Sequence, residues 1–283
     1  MKRNILVVSI ALALLLTTAC SLNVGGDRLN FSGNVSYDKG STLTEEQNIA
    51  RNAAEVQKLE ISDTAGNITV KKSTSDDISI KAIKKVKGTN DEIKKEVMAN
   101  IDVIIEGSGS SLSVYPATKD GKKDDLWKWV ERLYKGTQVT VDFELEVPEN
   151  IKVYTIDSNA GNISFNDVDG EIDIKSNAGN VDLAGVGLAG SSDIEINAGN
   201  VNLDADISKA SKLTVVNTAG NVTLKLPANS AFDLTAKLTA GNVSGSFLSG
   251  THINSGTIRQ KINGGGTEVN VTTVAGNVTI NGK

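Results

Sequence analysis

The chain has very few of the residues that build redox, metal or nucleic-acid sites. Cys20 is the only cysteine, so an intramolecular disulfide is impossible. His252 is the only histidine, and one histidine without a second thiol cannot form a common zinc site. Acidic and basic residues are interspersed at a net charge of −5, with no basic stripe that would indicate nucleic acid. We therefore expect no metal, no cofactor and no nucleic-acid partner.

Proline and aromatic residues are also scarce, whereas glycine is abundant. There are three prolines, 4% aromatic residues and 27 glycines, which suits a repetitive stacked sheet better than an aromatic-rich sandwich. Seven glycines belong to one tetrapeptide, Ala-Gly-Asn followed by Val or Ile, repeated about every twenty residues over much of the chain. The asparagines of its copies are Asn67, Asn162, Asn180, Asn200, Asn221, Asn242 and Asn277.

The residues around each asparagine alternate between apolar and polar. In most copies, apolar residues stand one and three positions after the asparagine with a polar residue between them, and another apolar residue stands six positions before it. This alternation on both sides of Gly-Asn predicts a strand, a sharp turn and a second strand. Glycine and asparagine are the residues that most easily adopt the positive φ of such a corner.

Two architectures are compatible with this pattern. Each Gly-Asn could close a hairpin in an antiparallel meander, or each repeat could be one coil of a solenoid with equivalent positions stacked about 4.8 Å apart. The position five before the asparagine alternates in charge through Asp157, Lys175 and Glu195, which favours stacking. We therefore expect a mainly β protein, a parallel β-solenoid of about twenty-residue repeats with a small α+β insertion near the N-terminus. Its corner asparagines are expected to form an amide ladder inside the corner.

The first nineteen residues have the features of a secretory signal peptide. A basic start at Lys2-Arg3 precedes an apolar run over residues 5–16 and then small residues before Cys20. The end of this segment resembles a bacterial lipobox, in which the cysteine is lipid-modified; the alternative is an ordinary cleaved signal. Lipidation of Cys20 would place the protein outside the cytoplasmic membrane or in an outer membrane, held there by its acyl chains.

The remaining chain divides into three predicted parts. The first contains a possible strand pair, residues 29–31 with 35–37, and a short helix from Thr44 to about Ala54, where Thr44-Glu45-Glu46-Gln47 has capping-box spacing. The three parts are a tether with this short helix at 20–54, the first repeat with the α+β insertion at 55–150, and the solenoid repeats at 151–283.

The insertion contains two predicted helices, three short strands at 78–82, 101–105 and 112–115, and one long strand. Asn90 can cap a helix through Asn100, a second helix is expected over 124–135, and residues 139–147 alternate strictly as a strand. The second helix carries both tryptophans, Trp127 and Trp129, which with Tyr134 are the possible interaction residues. Its apolar stripe is Leu126, Trp127, Val130, Leu133 and Tyr134. This stripe either covers an end or edge of the solenoid or contacts a partner or membrane.

A strand-helix-strand-strand stretch, an alternating strand ending in Val-Pro-Glu-Asn, and Gly-centred repeats of about twenty residues together resemble the bacterial putative-adhesin domain family. The resemblance spans about residues 55–283. The family more often has Ser-Gly-Asp where this chain has Ala-Gly-Asn. The resemblance implies a β-helix-like fold, an envelope location and an adhesive role, and it transfers no catalytic residues.

These features predict a non-catalytic, membrane-anchored envelope lipoprotein, a scaffold that contacts envelope polymer or protein. One alternative is an accessory component of an envelope-stress sensing system whose partner is a membrane protein. Another is a β-helix enzyme acting on polysaccharide, which would need paired carboxylates; the candidates are Asp173, Asp182, Glu195 and Asp204. The acidic stretch 167–171 has part of the pattern of a calcium loop without EF-hand spacing, and we interpret it as an acidic turn.

Overall fold

A computed structural model describes residues 20–24, 27–37, 42–120, 126–248 and 255–283, and within them the protein is mainly β. The strands before the second helix are β1 Cys20–Val24, β2 Asp27–Tyr37, β3 Thr42–Asn52, β4 Lys58–Ala65, β5 Ile68–Lys72, β6 Asp77–Lys87, β7 Ile101–Ser108 and β8 Ser111–Thr118. The helices are α1 Asp91–Asn100, α2 Leu126–Leu133 and a 3-10 turn at Ser246–Leu248. The later strands are β9 Gln138–Val147, β10 Val153–Ala160, β11 Ile163–Asn166, β12 Asp169–Ala178, β13 Val181–Ala198, β14 Val201–Ala219, β15 Val222–Leu226, β16 Phe232–Ala240, β17 Val243–Ser244, β18 Gly256–Ile262, β19 Thr267–Ala275 and β20 Val278–Gly282.

The strands on each side of a Gly-Asn corner pair with equivalent strands of other repeats. β10 pairs in parallel with β4 and β12, so that Ala160 lies between Ala65 and Ala178. β11, on the other side of the corner, pairs in parallel with β5 and β13. Among the described strand pairs, β10 and β11 do not pair with each other, so the hairpin alternative is wrong for this corner. The result is a curled, β-solenoid-like sheet.

The two longest strands turn through three sides of a coil. In β13, residues 181–184, 186–187, 189–190 and 191–198 pair with successive parts of β14, and the register shifts between each part and the next. The same last part of β13 pairs with β12, with Ile194 opposite Ile174. These shifts bend one continuous strand around the core, since an extra residue in a ladder kinks the strand.

The spatial order of the coils differs from their order in the chain. Ala275 of β19 pairs with Ala219 of β14 on one side and with Ala240 of β16 on the other. The coil formed by β19 and β20 therefore lies between β14–β15 and β16–β17. β18 runs antiparallel to β16 on the far side. The last two coils are therefore not stacked in chain order.

The predicted helix from Thr44 to Ala54 is wrong, because this segment is mostly strand β3. β3 pairs in antiparallel fashion with β6 from Thr42 opposite Lys87 to Asn52 opposite Asp77. Glu45 forms an ion pair with Lys84 of β6, so an acidic residue of the apparent capping box has a cross-strand partner instead. Long-range pairing thus outweighs the local capping signal.

The predicted strand pair within residues 29–37 is also wrong, since these residues form the single strand β2. β2 pairs along its length with β3, from Asn30 opposite Ala50 to Tyr37 opposite Leu43. The segment described as a tether is therefore part of the sheet. Gly33-Asn34 does not make a corner here, because both of its flanking residues continue the same ladder.

The α+β insertion agrees with the predicted elements. Asn90 caps α1, its side-chain oxygen accepting hydrogen bonds from the backbone N–H groups of Glu92 and Ile93. β9 pairs in parallel with β5 and in antiparallel fashion with β6, so it joins the insertion to the first coil. In the described part of the chain, neither helix is long and apolar enough to cross a membrane.

The core consists of apolar columns that run along the stack. The side chains one and three positions after each corner asparagine, and six positions before it, point inward and are almost completely buried. Gly245 is the exception, since it has no side chain. The column one position after the asparagines, in spatial order, is Ile68, Ile163, Val181, Val201, Val222, Val278 and Val243. β-Branched side chains stacked in register give each coil an apolar surface that it can bury only against its neighbours.

Candidate functional site

The corner asparagines form one hydrogen-bonded line along the stack. The Oδ1 of Asn180 accepts the backbone N–H of Asn200 at 3.0 Å and its Nδ2 group at 3.3 Å. Asn162 and Asn180 repeat this arrangement at 2.9 and 3.2 Å, and Asn200 and Asn221 at 3.0 and 3.4 Å. The line continues to Asn277 and then to Asn242, following the spatial order. Each side chain thus pairs a backbone N–H at the corner of the next coil.

This asparagine ladder lies on the outside of the corner, not inside it as expected. Asn67, Asn162, Asn200, Asn221, Asn242 and Asn277 are exposed, and Asn180 is half-buried. The inside of each corner holds a different side chain, the one four residues before the asparagine. The ladder is therefore an exposed structural device, and its hydrogen bonds compete with water.

Asp142 extends the ladder into the insertion and was missed from the sequence. Its Oδ1 accepts the backbone N–H of Asn67 at 2.7 Å and the Nδ2 group at 3.3 Å, and its Oδ2 pairs with Lys85. Asp142 precedes Phe143-Glu144-Leu145, the same apolar-polar-apolar pattern that follows the corner asparagines. That pattern could have identified it.

Glycine is required at the corner because the coils touch there through their backbones. A Cβ on Gly199 would lie 1.8 Å from the carbonyl oxygen of Gly179, and one on Gly220 would lie 1.8 Å from that of Gly199. The φ angles of Gly199 and Gly220 are 142° and 137°, a region that L-residues rarely adopt. Both the conformation and the close contact therefore exclude a side chain.

A column of buried polar side chains lies beneath the corner. In spatial order the residues four before the asparagines are Asp63, Ser158, Ser176, Ile196, Asn217, Thr273 and Leu238. The five polar members are buried, and each has an oxygen without a hydrogen-bond partner among the described residues: Oδ2 of Asp63, Oγ of the serines, Oδ1 of Asn217 and Oγ1 of Thr273. Buried polar groups are normally paired, so this inner column is chemically unusual.

A trough runs between corners on the side of the coils formed by residues 185–190. The outward-facing residues of its floor are Gly185, Gly187, Ala189 and Gly190. The middle strand therefore presents almost no side chain to the outside. Gly187 lies between Asp169 of β12 and Asp206 of β14. The neighbouring strands thus form walls about 10 Å apart, around a cavity of about 530 Å³.

The walls of this trough carry charges of both signs. Asp169, Glu171 and Lys152 line one wall, and Asp206 and Lys209 line the other. A Cβ atom on Gly187 would lie 2.1 Å from Asp169 Oδ1, and one on Gly190 would lie 2.6 Å from Glu171 Oε2. These two carboxylates therefore lie over the floor. In the described part of the chain, Lys152, Lys209, Asp169 and Glu171 form no ion pair and no side-chain hydrogen bond. Backbone hydrogen bonding from Ser208 lowers the pKa of Asp206.

The tryptophan helix α2 packs against the insertion rather than projecting from it. Leu126 and Val130 are buried, and the indole N–H of Trp127 donates to the carbonyl of Val139 at 3.2 Å. Trp129 contacts Tyr134 edge to face, and the Tyr134 hydroxyl donates to Glu96 at 2.7 Å. Both tryptophans are partly buried against the core. This arrangement favours a covering role over direct partner contact for most of the stripe.

The four carboxylates considered for catalysis lie on different sides of the corner. Asp173 and Glu195 stand on strands before the corner, and Asp182 and Asp204 on strands after it. Asp173 accepts the backbone N–H of Asp193 at 3.2 Å and burial raises its pKa, Asp182 accepts from Asn202, and Asp204 pairs with Lys283. The charged column Asp157, Lys175 and Glu195 is in register, although none of the three forms an ion pair with another described residue.

Other candidates fall partly or wholly outside the described residues. The signal segment 1–19 and His252 lie outside them. The backbone of Cys20 begins β1, and lipidation of its side chain stays a prediction. Across the described ranges, no group of three or more His, Cys, Asp or Glu side chains is placed to hold a metal ion.

Comparisons with solved structures show distant likenesses to bacterial proteins. A solved structure of a "putative cell adhesion protein" from Clostridium sporogenes is 16% identical, with a TM-score of 0.43, and covers 89% of this chain and 100% of that one. A "putative adhesin" from Bacteroides fragilis is 13% identical, with a TM-score of 0.26, and covers 83% and 96%. A "putative lipid binding protein" from Parabacteroides distasonis is 10% identical, with a TM-score of 0.25, and covers 84% and 96%. No curated protein matches the sequence.

A family model gives the direct assignment. The model described as Toastrack DUF4097 matches residues 137–281, which include β9 and all the coils from β10 to β20. This stretch is just over half of the chain (145 of 283 residues). It contains six of the seven Ala-Gly-Asn corners and the trough. The chain therefore belongs to the Toastrack DUF4097 family.

Proposed function

We propose that the protein is a non-catalytic binding scaffold of the cell envelope that holds a chain of hydroxyl-rich envelope polysaccharide in the trough over residues 185–190. The observation that carries the proposal is the trough itself. Its floor is glycine and alanine, its walls stand about two strand spacings apart, and its cavity is about 530 Å³. A groove one strand wide fits a single extended polymer chain.

The chemistry of the walls supports a sugar ligand. Sugar hydroxyls donate and accept hydrogen bonds, so they can pair with carboxylates and ammonium groups at the same time. Asp169 and Glu171 offer acceptors on one wall, and Lys209 offers donors on the other. Because both signs are present, the trough suits a chain of neutral sugars better than a strongly charged polymer.

The non-catalytic role is part of the proposal. Glycosidases hold two carboxyl groups on either side of the scissile bond, about 5–9.5 Å apart. Asp173 and Glu195 lie on one side of the corner and Asp182 and Asp204 on the other, and Asp204 is engaged by Lys283. Support for a binding role comes from the engagement of Asp182 by Asn202 and of Asp204 by Lys283.

Anchoring through Cys20 is likewise proposed, on the basis of the signal-like residues before it. A lipid anchor would hold the solenoid at a membrane surface, where the trough can meet envelope polymer. Labelling with radioactive palmitate in growing cells tests this part. The label should enter the wild-type chain and be lost from Cys20→Ser; equal labelling of both would contradict it.

The trough is tested by filling it. Ala189 already has a Cβ on the floor, so Ala189→Trp should block the groove without changing the backbone. Ala198→Trp, on an exposed corner, adds the same side chain elsewhere. Binding to a panel of immobilised neutral polysaccharides should fall at least about tenfold in Ala189→Trp, a loss of about 1.4 kcal/mol, and should stay unchanged in Ala198→Trp.

Three outcomes would contradict the proposal. One is equal polysaccharide binding by wild type and Ala189→Trp. Another is retention of envelope material by the trough after periodate has oxidised its sugars, which would identify a protein ligand instead. Reduced binding in both tryptophan variants would show a general effect of the added side chain and would also count against the trough.

A further inference from the structure

A second cavity lies at the junction of the first coil with the insertion, away from the trough. It opens where β8 leaves β4, because these strands pair only from Lys58 opposite Ser111 to Ile61 opposite Val114. The cavity measures about 310 Å³, at the lower end of the range for small-ligand sites. Its lining residues are Ser62, Asp63, Thr64, Tyr115, Pro116, Trp127, Asp157 and Asn159.

The lining combines aromatic surface with carboxylates and no cationic side chain. Trp127 is held in place by its hydrogen bond to the carbonyl of Val139, and it presents a partly buried indole. Asp63 and Asp157 contribute two carboxyl groups from neighbouring coils, with Asp157 paired in register with Ser62. Aromatic faces and carboxylates both attract organic cations.

Asp63 is the residue whose position in the fold is otherwise unexplained. Its side chain is 5% exposed, and its Oδ2 has no partner among the described residues. Its Oδ1 accepts one long hydrogen bond, 3.3 Å from the backbone N–H of Ala65. A buried carboxyl group with an unpaired oxygen is costly unless something pairs with it.

We propose that the cavity lined by Asp63, Asp157 and Trp127 binds a small organic ammonium group. Asp157 is exposed and can contact the cation directly, whereas the Asp63 carboxyl group is buried and attracts the cation through space. The indole of Trp127 lines the same cavity. Ser62, Thr64 and Asn159 line the rim and can hydrogen-bond a hydroxyl attached to the ammonium group. This site is independent of the trough, because none of its lining residues belongs to residues 185–190.

The electrostatic surroundings of Asp63 give the site a pH dependence. Burial raises the pKa of Asp63 to about 7, with Asp142 adding to the rise and the hydrogen bond from Ala65 opposing it. The other charged groups nearby are engaged or remote: Lys85 pairs with Asp142, the Tyr115 hydroxyl donates to Glu106, and Lys175 stands in register with Asp157. A bound cation would favour the ionised form of Asp63, so binding should release a proton near neutral pH.

Choline is the probe, because its charge does not change with pH. Its uncharged isostere 3,3-dimethyl-1-butanol is the matched control. By calorimetry at pH 8, choline should bind the wild-type protein at least about tenfold more tightly than the isostere. The choline affinity should fall by up to about tenfold per pH unit below pH 7, as Asp63 becomes protonated. Asp63→Asn should remove this pH dependence, and Asp157→Asn, at an exposed position, should weaken choline binding without removing it.

The wild-type measurements decide the proposal even if a variant fails to fold. Equal binding of choline and its isostere would overturn it, as would a choline affinity that is the same at pH 6 and pH 8. The source of the ammonium group is distinguished by competition: phosphatidylcholine vesicles displace choline if the group is a lipid headgroup, and oligosaccharides of glucosamine displace it if the group belongs to a polymer. Displacement of choline by either competitor supports the site. If neither competitor displaces choline, the inference that the ammonium group belongs to a lipid or a polymer of the envelope is overturned.

Discussion

The outer and inner sides of the same corner have opposite properties. Outside, seven asparagines in identical positions are mostly exposed, and those at the middle of the stack are hydrogen-bonded on both sides. Inside, the residues four before them vary among Asp, Ser, Ile, Asn, Thr and Leu, and the polar ones are buried with unpaired oxygens. The repetition is therefore strict where a side chain serves the backbone, and loose where side chains only fill space.

The difference also shows what the repeated motif is for. Six of the seven corner asparagines, all but Asn242, accept the backbone N–H of the next corner asparagine in the stack. In the coils that the structure describes, the side chains at the inner positions share no hydrogen bond to the backbone that repeats from coil to coil. An ionisable inner side chain, such as that of Asp63, can instead exchange a proton and attract a charged ligand.

The largest effect is expected at the point where the two sides meet, the corner glycine. Gly199→Ala places a Cβ 1.8 Å from the carbonyl of Gly179 in the middle of the stack. We expect a loss of more than about 4 kcal/mol in the free energy of unfolding, measured with urea. Gly136→Ala is the control: it also has positive φ, at 84°, but open space around it, and should cost about 1–2 kcal/mol. Equal losses would mean that φ alone explains the corner glycine.

An intermediate effect is expected on the inner side at Asp63. The folded pKa of about 7 lies above an unfolded value of about 3.9. A raised folded pKa means that the stability is fully present below about pH 4 and is lost as the pH rises to 7, at up to about 1.4 kcal/mol per pH unit. Urea unfolding of Asp63→Asn should lack this slope. If wild type and Asp63→Asn have parallel pH profiles, the carboxyl group is not held in its neutral form.

The smallest effect is expected on the outer side. Asn200→Ala removes the acceptor of the Asn221 backbone N–H and the donor to Asn180. Because these groups are exposed, we expect a loss of about 1 kcal/mol in the free energy of unfolding. Asn202→Ala, which loses one side-chain bond to Asp182, should cost less than about 0.5 kcal/mol. A loss of about 3 kcal/mol or more, the cost of a buried unpaired group, would show that the ladder is buried.

The sequence is sufficient for the parts of the fold that repeat. Period-two alternation predicts the inward columns, and the charge alternation at Asp157, Lys175 and Glu195 predicts the register found between β10, β12 and β13. The cap at Asn90 and strand β9 are also predicted, because local signals and tertiary pairing agree there. The family resemblance inferred from these features is confirmed by the match over residues 137–281.

The remaining features depend on distant contacts that a local pattern does not contain. The capping-box spacing at Thr44 predicts a helix, but eleven residues of pairing with β6 make it a strand. The step of 35 residues from Asn242 to Asn277 breaks the spacing of about twenty, but the spacing alone does not place β19 between β14 and β16. The trough and the Asp63 cavity arise between strands far apart in the chain, so no single stretch of sequence reveals them.

The position of β19 has a consequence for how the molecule folds. β14 and β16 are separated in the sheet by a strand made later in the chain, so neither can complete its ladder until residues 267–282 are present. A growing chain would therefore expose two unpaired edges in the middle of the stack, and contacts of long sequence separation form slowly. The sheet is thus completed only when β19 inserts between β14 and β16, which precede it in the chain.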